Sequence, residues 1–97
     1  MIANIIRRWS VLDLRTNPAE VYEYVVIHRA DNTAFIAKAE GGLRKEKFQI
    51  KTVFDHPEMK VFDVCVEAQR LIDMLEQKSC AAISIPTAQG LGEKNDF

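Results

Sequence analysis

The side chains able to carry chemistry are few and scattered. His28 stands beside Arg29, and His56 lies between Asp55 and Pro57. A histidine acting as general acid or base needs a nucleophile or carboxylate within hydrogen-bond reach, and no local motif supplies one. His28 reads instead as a polar strand-end residue and His56 as part of a helix's first turn. Asp55, His56 and Glu58 offer metal-ligand atoms, but a closed zinc site draws on about four ligands, commonly with Cys or His paired at short spacing. No such pair occurs, and helix capping accounts for Asp55 and Glu58 more simply. Cys65 falls in an apolar stripe, where a thiol behaves as a small hydrophobe. Cys80 is expected to be exposed near a helix C-terminus, an end that disfavours a thiolate. Gly41-Gly42 and Gly90-Leu91-Gly92 both lack the context of a phosphate-binding loop. The sequence therefore assigns no catalytic, metal or cofactor-binding residue, and the chain reads as a non-enzymatic one.

A basic cluster is the stronger chemical feature. Arg44, Lys45, Lys47 and Lys51 crowd residues 44–51. On a strand, Lys45, Lys47 and Lys51 project from one face. Lys38 on a neighbouring strand extends them, and Trp9, Tyr22 and Tyr24 offer rings for base stacking. This is the alternative reading of function: a nucleic-acid-binding module using a Lys-rich strand face. The plain reading is a solvated strand face, since Glu40 and Glu46 are close by and the net charge is −1, which gives no overall basic field.

Several elements must position these residues. The Trp, Val and Leu content of Arg7–Leu14 suggests a first strand, although helical spacing fits Ile2 to Leu12 as well. Asn17-Pro18-Ala19-Glu20 has the form of a capped helical turn. Val21–Arg29 is rich in β-branched and aromatic residues. Ala30-Asp31-Asn32-Thr33 then forms a turn and Thr33–Glu40 a return strand. After Gly41-Gly42, Glu46–Phe54 alternates, with Phe48, Ile50, Thr52 and Phe54 on one face. Asp55 can cap a helix carrying Val61, Val64, Cys65, Ala68, Leu71, Ile72 and Leu75 on one stripe and ending near Lys78. The alternative start is a short strand over 60–66, with Asp63 capping a shorter helix. Ser79–Ile85 suggests a last strand.

The fold expected is α+β: a mainly antiparallel sheet of four to five strands with one long helix packed on one face. Residues 1–86 form the single domain, and 87–97 a flexible C-terminal tail. One helix covers one face only, yet the second strand is apolar on both: Val21, Val25 and Ile27 against Tyr22, Tyr24 and Val26. Monomers rarely expose such patches. The Tyr22, Tyr24, Val26 side is therefore assigned to a partner surface. The leading functional reading is a small interaction module, a homodimer that binds a protein partner.

Bulk properties agree with a small globular domain. The chain has 97 residues, 47% hydrophobic and 28% charged. That is room for one domain with a modest core, which self-association would reinforce. Two cysteines fall short of a disulfide scaffold. The apolar start precedes its charges and is too short for a secretory signal, and no run has the length of a membrane span. These features point to a cytoplasmic chain with reduced thiols and no membrane partner.

Overall fold

The structure, a computed structural model, describes residues 4–40 and 49–86. It has the expected α+β architecture. In chain order the elements are β1 (Ile5–Asp13), β2 (Glu20–His28), β3 (Ala34–Glu40), β4 (Gln49–Phe54), α1 (Val61–Glu76) and β5 (Cys80–Ser84). The strands form one five-stranded sheet in the order β4-β3-β2-β1-β5. Every neighbouring pair is antiparallel. The tail 87–97 lies outside the described residues.

Turn chemistry makes the hairpins. Asn32 takes the left-handed backbone, φ 69°, which Asn tolerates better than most residues. The Thr33 N–H and hydroxyl both donate to Asp31 Oδ1, at 3.2 and 2.6 Å. Residues 14–18 form no helical turn; they bend around a cis Asn17–Pro18 peptide bond. The helix begins later than its capping signal predicts. Lys60 stands at its N-cap without a side-chain cap bond, while Asp55 is held by Arg29 at 2.6 Å. Residues 60–66 do not form a strand, since α1 begins at Val61.

Antiparallel pairing makes β4 and β5 run parallel to each other at opposite edges of the sheet. The chain between them must cross the whole sheet over one face, and α1 makes that crossing. It buries Val64, Ala68, Ile72 and Leu75 against Trp9, Val11, Tyr22, Tyr24, Val26, Ala34, Ile36 and Cys80. Each fully buried Val, Leu or Ile contributes roughly 1.5–3 kcal/mol.

This decides the two faces of β2, and it corrects the partner-surface expectation. Tyr22, Tyr24 and Val26 are buried beneath α1 as the centre of the core. The same alternation turns Val21, Val25 and Ile27 to the helix-free face, where Val21 is exposed, Ile27 half-buried and Val25 fully buried. A second correction concerns β4. Phe54 pairs with Ile36, but Thr52 pairs with Ala37 and Ile50 with Ala39. The extra residue, Val53, makes a bulge that reverses alternation. Phe54 therefore packs on the core, while Ile50 and Thr52 lie on the helix-free side.

Candidate interaction surface

Among the described residues, the densest polar cluster joins β1, β2 and β5 at one end of the core. Asp13 is buried, yet every contact it makes satisfies its charge. Arg15 donates to it through Nε at 2.9 Å, Nη2 at 2.7 Å and the backbone N–H at 3.0 Å. The Tyr22 hydroxyl donates at 3.0 Å. Lys38 Nζ lies 4.1 Å from the Tyr22 ring centre and 3.2 Å from Glu40 Oε2. These contacts set the protonation states. The Arg15 hydrogen bonds hold the Asp13 carboxyl well below the usual carboxylate range. Burial, then the bond to Asp13, pushes the Tyr22 hydroxyl up. Burial chiefly pushes the Cys80 thiol up as well. Cys80 is buried, not exposed as its position after the helix suggests. The cluster thus holds a fixed anion, a neutral phenol and a neutral thiol. It ties the strands together around the Asp13 carboxylate.

The other chemical candidates remain apart. His28 Nε2 lies 3.4 Å from Asn32 Oδ1, and the His56 ring stacks on Phe54 with centroids 6.2 Å apart. Asp55 is engaged by Arg29 rather than by His56 or Glu58. Among the described residues, no three His, Cys, Asp or Glu side chains converge as a metal site. Nor is any described helix long and apolar enough to cross a membrane. Of the Lys-rich face, Lys45 and Lys47 lie outside the described residues. Lys51 is exposed opposite Lys38. The rings offered for stacking, Trp9, Tyr22 and Tyr24, are buried.

What the surface does present is apolar. A helix about 10 Å wide cannot cover five strands spaced about 4.8 Å apart, so a groove runs along each side of α1. The larger, of about 490 Å³, lies between the first residues of β1 and the N-terminal half of α1, beside Phe62 and Cys65. Phe62 is 75% exposed there.

The helix-free face carries the longer strip. Leu12 stands opposite Val21 on β2 and opposite Ala81 on β5, and Ile83 stands opposite Ser10. Cross-strand partners share a face, so Val21, Leu12, Ala81 and Ile83 are contiguous. Val21 is 63% and Ile83 69% exposed, with Leu12 at 39%. Beside them Arg8 grips Glu23 in a two-pronged ion pair, at 2.7 and 3.1 Å. That pair neutralises the charge next to the strip. Local pattern does not single out Leu12, Ala81 and Ile83, since only the β1–β5 register places them together. The signal available in advance was the uncharged run Cys80-Ala81-Ala82-Ile83-Ser84.

Comparison with known proteins adds no relative: no family model, no curated protein and no solved structure matches this chain.

Proposed function

We propose that this chain is a protein–protein interaction module that works as a homodimer, its copies meeting on the β5 side of the sheet. The observation that carries the reading is the strip Val21–Leu12–Ala81–Ile83, exposed on the helix-free face and reaching the sheet edge. Contiguous apolar surface of this kind marks association sites, and two-fold dimers are the commonest assemblies. The polar clusters support the same reading, because their charges are already internally satisfied.

Sedimentation velocity of the full chain over a concentration series tests it. A reversible monomer–dimer equilibrium is expected, which Ile83→Asp shifts to monomer without changing the circular dichroism spectrum. A wild-type chain that stays monomeric throughout, at concentrations where weak dimers form, ends the reading.

A further inference from the structure

The backbone of β5 indicates how two copies meet. The Ser79 carbonyl accepts from the Leu14 N–H at 3.0 Å, and the Ile85 N–H donates to the Arg8 carbonyl at 2.8 Å. Peptide groups alternate sides along a strand, so the odd-numbered residues of β5 direct their N–H and C=O groups to β1. Cys80, Ala82 and Ser84 direct theirs outward. Among the described residues nothing pairs with that outer edge.

The two edges of the sheet differ in protection. Natural edge strands avoid pairing with other chains by carrying Lys, Pro or a bulge. The β4 edge has Lys51 and the bulge at Val53. The β5 edge reads Cys-Ala-Ala-Ile-Ser, with no charge, no proline and no register shift against β1. An uncharged strand meets no like-charge repulsion when it faces itself.

We propose that two copies of this chain pair antiparallel through their β5 edges, about a two-fold axis at Ala82, to form one continuous sheet. The inference rests on the homodimer reading above and adds its geometry. Centred on Ala82, the register sets Cys80 opposite Ser84 of the second copy and Ala82 opposite its own equivalent. The outward groups of these residues match, giving about six backbone hydrogen bonds. On the helix-free face the same register sets Ala81 opposite Ile83 of the second copy. Val21, Leu12, Ala81 and that Ile83 then form one row across the seam. Ala81 is small enough for the long side chains on either side to close over it. This gives the exposed Leu12 and Ile83 a packing role that the single chain does not provide.

Ala82→Pro tests the register. The substitution removes an N–H that points away from β1, so the β1–β5 ladder survives. The dimer dissociation constant should rise at least about tenfold, roughly 1.4 kcal/mol. Hydrogen exchange on the wild-type chain gives a second readout that does not depend on the variant's folding. The amides of Cys80, Ala82 and Ser84 should slow in the dimer and exchange freely at concentrations where the chain is monomeric. A dimer whose Cys80, Ala82 and Ser84 amides stay fast overturns edge pairing, and self-association then proceeds through another surface. A chain that never dimerises overturns both proposals.

Discussion

Val26 and Val21 lie on the same strand, five positions apart, and point to opposite sides of the sheet. Val26 is 0% exposed beneath α1, and Val21 is 63% exposed on the other face. Truncating each to Ala removes the same two methyl groups, so the chemistry is matched and only the environment differs. At Val26 the transfer cost is about 0.8 kcal/mol per group. The cavity left against Ile36 and the helix adds to it, for a total of about 2–3 kcal/mol. At Val21 the side chain stays largely in water, and the change should fall within about 0.5 kcal/mol. Urea unfolding followed by circular dichroism reads the difference. With a slope near 1 kcal/mol/M for a domain of this size, Val26→Ala should lower the midpoint by about 2–3 M or leave the chain unfolded, and Val21→Ala by under about 0.5 M. The comparison belongs at low protein concentration, because any self-association would raise apparent stability. Equal losses at the two positions, or a larger loss at Val21, would refute the assignment of the core face.

Three further outcomes follow from the polar contacts and the turn. Tyr22→Phe keeps the buried ring but removes a donor from Asp13, and should cost about 1–2 kcal/mol in the same unfolding assay. Asp13 is held below the usual carboxylate range in the folded chain, so its contribution is present above the ordinary carboxylate value and is lost as pH falls through the depressed folded value. Acid titration of stability should therefore decline less steeply in Asp13→Asn, itself less stable at neutral pH, than in wild type. At the β2–β3 turn, Asn32→Gly should be close to neutral. Asn32→Val should cost about 1–2 kcal/mol, because a β-branched residue is strained at φ 69°, a contrast visible as a drop in Tm only for the valine variant.

Much of the architecture was legible in the residues themselves. The β-branched and aromatic run of β2, the Asp31-Asn32 turn and the stripe from Val61 to Leu75 specify strand, hairpin and helix through short-range sterics and periodicity. These act between residues close in sequence, so the sequence exhibits them directly. The helix start was less legible, because Asp55 has a capping signal but finds a stronger partner in Arg29, 26 positions away in the chain. The parity of β4 was hidden for a similar reason: the bulge at Val53 appears only in the register against β3.

The site depended still more on tertiary structure. With β2 apolar on both sides, local pattern gives no ground for choosing which side the helix covers. The choice comes from the crossing of α1 between the two sheet edges, which buries Tyr22, Tyr24 and Val26 and leaves Val21 outside. The pairing of β5 with β1 likewise joins residues about 70 positions apart, bringing Ile83 and Ala81 beside Leu12. The sequence by itself indicated most of the strands and the body of the helix, because propensity and periodicity are local. The tertiary structure alone decided which apolar residues became core and which became surface, because burial depends on what packs opposite.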